Sequence, residues 1–222
     1  MTASGLVVFD CDGVLVDSEH LVQRVEMAMI AELGWPITVD EMNDQHLGRS
    51  WPTIQANIER QIGRPLPSDF RTRAVAEAHE LFERELLAVD GVADAIETLR
   101  VEGYATCVAS SGSHERMRLT LGATGLHGEF AGRIYSSEDV VRGKPEPDLF
   151  LHAAAQMGYA PEQCVVVEDS PAGVAAAHAA GMPVIGYAAR TPYEMLSGAD
   201  TVIRSMSDLP STVALMRERS CR

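Results

Sequence analysis

The sequence predicts an α/β protein with a doubly wound parallel sheet and an inserted all-helical domain. Short runs rich in Val and Ile alternate with helical patterns through most of the 222 residues. This alternation is typical of a parallel sheet covered by helices on both faces. One long interval, from about residue 17 to 87, carries helical patterns without a convincing strand. We therefore expect an α/β core of residues 1–16 and 88–222, and a helical domain of residues 17–87.

The predicted strands are short and mostly apolar, as expected for strands that are buried on both faces. In chain order they are residues 6–10, 105–110, 132–137, 164–169, 183–188 and 201–206. Helical patterns follow these runs at about 92–102, 113–123, 148–157 and 171–179, and again in the tail from about 208.

The inserted interval contains three helical stretches, at residues 18–34, 51–63 and 68–87. Ser18 is a suitable N-cap for the first stretch, and Gly34 is a suitable stop. The segment GRPLP separates the second stretch from the third, because Gly and Pro interrupt helices.

The charge balance limits the possible partners. The formal net charge is −14, from 18 basic and 32 acidic side chains. This acidity argues against nucleic acid and against an anionic membrane surface as partners. No apolar run approaches the length of a membrane span, and the four cysteines form no CxxC pair. We expect a cytoplasmic monomer that binds a small anionic ligand.

Polar side chains follow the buried strands at the points where those strands end. The carboxyl ends of parallel strands meet at one edge of the sheet, where ligands of such folds bind. These side chains are Asp10 and Asp12, then Ser110 and Ser111, then Glu168 and Asp169, with Lys144 in the loop GKPEPD.

This combination suits a magnesium ion and a phosphate. Mg²⁺ prefers oxygen ligands and binds through one or two carboxylates together with waters and phosphate oxygens. Hydroxyl and ammonium groups suit a phosphate, and a carboxylate beside such a site can form an aspartyl-phosphate. Each motif alone has a commoner interpretation, such as a turn for Asp10 and Asp12 or a helix cap for Glu168 and Asp169. The motifs occur together and in this order along the chain, which favours the catalytic interpretation.

With these residues in place, the chain resembles the haloacid dehalogenase superfamily, in its branch of small-molecule phosphatases and phosphoglucomutases. The matching segments are FDCDGVLVDS (9–18), VASSGS (108–113), GKPEPD (143–148) and VVEDSPAG (166–173). The fold implied is a Rossmann-like core, and the helical interval occupies the place of the family's cap domain.

The resemblance implies a role for each matched residue. Asp10 is expected to be the nucleophile, and Asp12 the general acid and then the base. The implied Mg²⁺ ligands are Asp10, the Asp12 carbonyl and Asp169, with Glu168 direct or through water. The implied phosphate ligands are Ser110, Ser111 and Lys144. In the cap, Arg49 and His20 are candidates for contact with the substrate.

Three activities remain open at this point. We expect a Mg²⁺-dependent phosphatase of a sugar phosphate or sugar-acid phosphate such as 6-phosphogluconate. The alternative is a β-phosphoglucomutase-type mutase, although Val22 and Trp51 depart from the residues typical of mutases. A phospho-accepting receiver domain is the third possibility, but receivers are shorter and lack the helical insertion.

Overall fold

The chain forms two compact units in this computed structural model, which describes residues 5–46 and 51–220. One unit consists of Met1–Asp17 together with Leu86–Arg222, and the other is Ser18–Glu85. We call them the α/β unit and the helical unit. In residues 5–46 and 51–220, no helix is both long enough and apolar enough to span a membrane.

The α/β unit is built on a six-stranded parallel sheet, which confirms the predicted fold class. The strands lie in the order β3-β2-β1-β4-β5-β6, so β1 is central and the chain winds outward in both directions. Their bounds are β1 Gly5–Phe9, β2 Tyr104–Ser110, β3 Ile134–Ser136, β4 Cys164–Glu168, β5 Val184–Tyr187 and β6 Thr201–Ile203.

The register of the three central strands positions the site. Phe9 of β1 pairs with Val108 of β2 on one side and with Val167 of β4 on the other. The next residues, Asp10 just after β1 and Glu168 at the end of β4, therefore lie side by side at the carboxyl edge of the sheet. Both side chains are buried, with relative exposures of 7% and 1%.

The described part of the helical unit contains α1 Glu19–Glu32, α2 Val39–His46, α3 Trp51–Ile62 and α4 Phe70–Glu85. Most of the buried apolar side chains of these helices lie on the two longest, α1 and α4. Leu21, Val25 and Met29 of α1 are buried, as are Phe70 and Phe82 of α4. At the surface, Arg24 pairs with Glu85 at 2.5 Å.

Helix α2 was not among the predicted elements, although its sequence carried a start signal. The Thr38 backbone N–H donates to Glu41 Oε2 at 2.9 Å, and the Glu41 N–H donates to Thr38 Oγ1 at 3.3 Å. This reciprocal pair is a capping box, whose signature is Thr-x-x-Glu. The helix is short and mostly polar, so hydrophobic periodicity gave no sign of it.

Among the described residues of the α/β unit, five α-helices flank the sheet: α5 Val92–Val101, α6 His114–Ala123, α7 Asp148–Met157, α8 Pro171–Ala179 and α9 Leu209–Ser220. Two of them, α6 and α8, start at serine N-caps shortly after β2 and β4 end. Ser113 accepts a hydrogen bond from Arg116 N at the start of α6, and Ser170 accepts one from Gly173 N at the start of α8. The N-termini of α6 and α8, where positive potential accumulates, thus follow the carboxyl ends of β2 and β4.

Candidate active site

A buried ion cluster lies at the carboxyl edge of the sheet. The Lys144 ammonium donates to Asp10 Oδ1 at 2.6 Å and to Glu168 Oε1 at 2.7 Å. It also donates to the carbonyl of Ala109, near the end of β2, at 3.0 Å. Only 4% of the Lys144 side chain is exposed. One cation therefore joins the ends of β1, β2 and β4.

Lys144 only partly offsets the cost of burying the Asp10 carboxylate. Burial raises the pKa of Asp10 to about 7, with Lys144 opposing the rise and Glu168 adding to it. Burial lowers the pKa of Lys144, but the attraction of Asp10 and Glu168 outweighs it and raises that pKa overall. Lys144 is thus a permanent cation, whereas Asp10 ionises more readily if further positive charge arrives.

Glu168 is held on one side by Lys144 and on the other by the turn between β4 and α8. While Oε1 accepts from Lys144, Oε2 accepts from Ser170 N at 2.8 Å and from Ser170 Oγ at 2.9 Å. A Cβ on Gly173 would lie 1.8 Å from the Glu168 carboxyl carbon, so only glycine fits there. This packing places the Glu168 carboxylate against the first turn of α8.

Asp169 lies beside the loop that follows β1. Gly13 in that loop has a φ of +79°, and a Cβ there would lie 2.0 Å from Asp169 Oδ2. Glycine is required at position 13 both for its left-handed backbone and for the close approach of this carboxylate. Asp169 is 8% exposed, so a further buried carboxylate lies against the loop that carries Asp12.

Ser110 and Ser111 occupy the turn between β2 and α6. Ser110 is 2% exposed, and its Oγ accepts from Gly112 N at 3.2 Å. Ser111 is exposed, and its carbonyl accepts from Ser137 Oγ at 2.8 Å. A Cβ on Gly112 would lie 3.7 Å from Ser110 Oγ and 3.8 Å from Asp12 Oδ2, which shows how closely these groups gather.

Asp12 forms an ion pair that sequence reasoning missed. Arg116 Nε donates to Asp12 Oδ2 at 3.1 Å, and Arg116 Nη2 donates to Asp12 Oδ1 at 2.9 Å. The available signal was a cation in the first turn of a helix at the carboxyl edge of the sheet, where helix dipoles disfavour positive charge. That signal identifies no partner, because the two residues are 104 positions apart.

Cys11, which lies between Asp10 and Asp12 in the sequence, packs in the protein interior. It is fully buried, with its Sγ 3.8 Å from Thr120 Oγ1 of α6. Burial, with smaller contributions from Asp12 and Asp10, raises the pKa of the Cys11 thiol well above its ordinary value. The thiol is therefore a packed neutral group rather than a nucleophile.

The two cap candidates belong to the helical unit. His20 lies in the first turn of α1 and is half-buried. Arg49 lies outside the described residues. Contact of either residue with a substrate stays a prediction.

The donor set of the α/β unit fits a hard divalent cation. Asp10 and Glu168 share the Lys144 ammonium, Arg116 pairs with Asp12, and the Asp169 carboxylate lies against Gly13 in the loop that carries Asp12. In the part of the chain that the structure describes, no group of three or more His, Cys, Asp or Glu side chains is arranged to hold a metal. Mg²⁺ does not need one, because it binds through one or two carboxylates and otherwise uses carbonyl, water and phosphate oxygens.

Comparison with known proteins places the chain in a family. The model of the haloacid dehalogenase-like hydrolases matches residues 5–181. Among curated relatives, the 6-phosphogluconate phosphatase of Escherichia coli K12 is 32% identical, over 82% of each chain. Hexitol phosphatase A of the same bacterium is 30% identical, over 92% of this chain and 93% of its own.

The fold comparison agrees. A conserved haloacid dehalogenase-like protein of unknown function from Agrobacterium tumefaciens has 38% sequence identity and a TM-score of 0.86. The match covers 96% of this chain and 98% of that one. The match of the family model and of relatives named as phosphatases confirms the expected phosphatase class. The chain belongs to the haloacid dehalogenase-like hydrolases, as a phosphatase of that family.

Proposed function

We propose that the protein is a Mg²⁺-dependent phosphatase that cleaves a sugar phosphate or sugar-acid phosphate through an aspartyl-phosphate. The observation that carries the proposal is the buried cluster of Asp10, Lys144 and Glu168, joined by contacts of 2.6 and 2.7 Å. It places a carboxylate and a fixed cation at one point of the sheet edge, which suits attack on a phosphate.

Asp10 is the nucleophile in this mechanism. One of its carboxylate oxygens attacks phosphorus, the bond from phosphorus to the substrate oxygen breaks, and an aspartyl-phosphate remains on the protein. The backbone N–H of Asp10 donates to the Val167 carbonyl at 2.9 Å, so the residue is anchored to β4 as well as to β1. This anchoring keeps the nucleophile in one position throughout the reaction.

Asp12 transfers the protons. It gives a proton to the departing substrate oxygen, then takes one from the water that attacks the aspartyl-phosphate. Water adds to phosphorus, the bond to Asp10 breaks, and inorganic phosphate leaves with Asp10 restored. Such positioned acid–base groups typically contribute about 10²- to 10⁴-fold in rate.

Lys144 and Ser110 bind the transferring phosphoryl group, with Ser111 at the rim of the same turn. The side chains of Lys144 and Ser110 are almost fully buried. Burial strengthens their interaction with the charge that develops on the phosphate oxygens. Lys144 neutralises negative charge, and the Ser110 hydroxyl donates a hydrogen bond. Ser111 is exposed, so its contribution is expected to be smaller.

Asp10, the carbonyl of Asp12 and Asp169 would hold the Mg²⁺ ion. Both oxygens of Glu168 already accept hydrogen bonds, which favours a role through water over direct ligation. When bound, the ion supplies positive charge that offsets the repulsion between Asp10 and the incoming phosphate. The raised pKa of Asp10 supports this need for a further cation.

The substrate class comes from the relatives. A phosphogluconate and a hexitol phosphate share a phosphate ester on a polyhydroxylated carbon chain, and the curated phosphatases named above act on such compounds. We extend this class to the present chain, with Arg49 and His20 as its candidate contacts outside the α/β unit.

The test is phosphate release by the purified protein with Mg²⁺. The panel contains 6-phosphogluconate, hexitol phosphates, sugar phosphates and phosphoglycolate, each with and without EDTA. We expect release of inorganic phosphate from a polyhydroxylated substrate and its loss with EDTA. Absence of release across the panel would contradict the proposal, and metal-independent release would contradict its Mg²⁺ part.

Two further assays separate the alternatives. β-Glucose 1-phosphate with a catalytic amount of the bisphosphate is converted to glucose 6-phosphate by a mutase, without free phosphate. A receiver domain instead holds a long-lived acyl-phosphate, which acid quenching detects without turnover.

A further inference from the structure

Arg116 holds both oxygens of Asp12, and nothing in the proposed chemistry yet uses that contact. The two hydrogen bonds, at 3.1 and 2.9 Å, run in parallel from one guanidinium to one carboxylate. We propose that Arg116 is a positioning residue whose planar fork orients the Asp12 carboxylate for proton transfer. This inference rests on the proposed phosphatase function, in which Asp12 is the acid and base.

The geometry favours orientation over simple charge neutralisation. A bidentate contact fixes the plane of the carboxylate, which a single ammonium contact does not. The side chains of Arg116 and Asp12 are only 23% and 27% exposed, so water screens this pair less than an ordinary surface pair. A carboxylate has about four acceptor positions, so two bonds from Arg116 do not exhaust its capacity.

Arg116 is itself held in place. Its backbone N–H donates to Ser113 Oγ at 3.2 Å, in the N-cap of α6. Its Cδ would lie 3.5 Å from a Cβ on Gly112, so its side chain runs along the catalytic turn. A chain of contacts therefore leads from the cap of α6 through Arg116 to the carboxylate of Asp12.

Local helix preference does not explain an arginine at this position. A cation in the first turn of a helix opposes the helix dipole, and burial further disfavours a charged guanidinium. Arg118, two residues later on the same helix, is exposed and avoids the burial cost. The contact with Asp12 compensates both costs at position 116, which ties the residue to the active site.

The test compares Arg116→Gln and Arg116→Lys with the matched control Arg118→Gln. Steady-state turnover of 4-nitrophenyl phosphate with Mg²⁺ gives kcat and KM, and thermal unfolding confirms that each variant is folded. We expect Arg116→Gln to lower kcat about tenfold or more with little change in KM, since acid–base groups contribute about 10²- to 10⁴-fold. Arg116→Lys should also stay clearly slower than wild type, whereas Arg118→Gln should match it.

A second comparison asks whether Arg116 acts through Asp12. In an Asp12→Asn background, measured at high enzyme concentration, Arg116→Gln should cause no further loss of kcat, because its target is gone. The same fold loss in both backgrounds would overturn the proposal, as would a raised KM with unchanged kcat. Full activity of Arg116→Lys would also overturn it, and this variant decides the matter if Arg116→Gln does not fold.

The outcomes also separate this inference from the function on which it rests. If the wild-type protein turns over substrate and Arg116→Gln does so equally well, only the positioning role is wrong. If the wild-type protein releases no phosphate from any substrate, the proposed function fails and the positioning role fails with it.

Discussion

Lys144 shows most clearly how single residues hold the site together. Its ammonium lies between Asp10 and Glu168 and is also 4.7 Å from the centre of the Phe150 ring. The same charge that suits a phosphate also compensates two buried carboxylates in the resting protein. Function and stability therefore depend on one side chain, and its removal should affect both.

Replacing Lys144 with Met should destabilise the metal-free protein by about 3 kcal/mol or more, because two buried carboxylates lose their cation. Urea unfolding with EDTA present measures the change. The control is Arg142→Gln, which removes an exposed cation paired with Glu146 and Asp148. This control should cost no more than about 1 kcal/mol. Equal losses for the two variants would contradict the structural role of Lys144.

At the scale of elements, the loop after β1 is shaped by a carboxylate that arrives from β4. Asp169 occupies the space where a side chain at position 13 would begin. The loop is closed by hydrogen bonds from Gly13 N to the Val16 carbonyl at 2.9 Å and from Leu15 N to the Cys11 carbonyl at 2.9 Å. The end of β1, the loop that follows it and Asp169 therefore pack tightly against one another.

Gly13→Ala should therefore cost more than an ordinary glycine substitution. Gly125 has a similar φ, +75° against +79°, but no neighbouring atom lies within 4 Å of its Cβ position. Gly125→Ala should lose about 1–2 kcal/mol of stability through backbone strain alone. Gly13→Ala should lose about 1–3 kcal/mol more through overpacking, and its phosphatase activity should fall as Asp169 moves. Thermal unfolding and phosphate release measure both effects, and equal behaviour of the two variants would refute the packing argument.

The sequence was sufficient to predict the sheet and the charged residues at its carboxyl edge, but not every contact that they make. Buried parallel strands have a strong apolar signal, and the topology brings Asp10, Glu168 and Lys144 together. The pairing of Arg116 with Asp12 depends on how α6 packs beside β2, which no local pattern encodes. Helix α2 was missed because its polar sequence lacks periodicity, although Thr38 and Glu41 carried a capping signal.

At the scale of the whole molecule, the chain passes from the α/β unit into the helical unit and back at neighbouring points. Within the α/β unit, Asp17 N donates to the Leu87 carbonyl at 3.0 Å, and Val89 N donates to the Leu15 carbonyl at 3.0 Å. The Asp17 carboxylate accepts two hydrogen bonds from Arg190 at 2.5 Å. The α/β unit thus anchors both crossings of the chain and itself carries all the core residues of the proposed chemistry.

The proposed mechanism requires that Asp10 becomes phosphorylated during turnover. The most direct measurement is mass spectrometry of the Asp12→Ala variant, acid-quenched after incubation with Mg²⁺ and an accepted substrate. Without the base that activates water, the intermediate should accumulate, and the peptide containing Asp10 should carry one phosphoryl group. Asp10→Asn in the same background should remove this signal. A variant that consumes substrate without ever carrying phosphate on Asp10 would contradict the proposed mechanism.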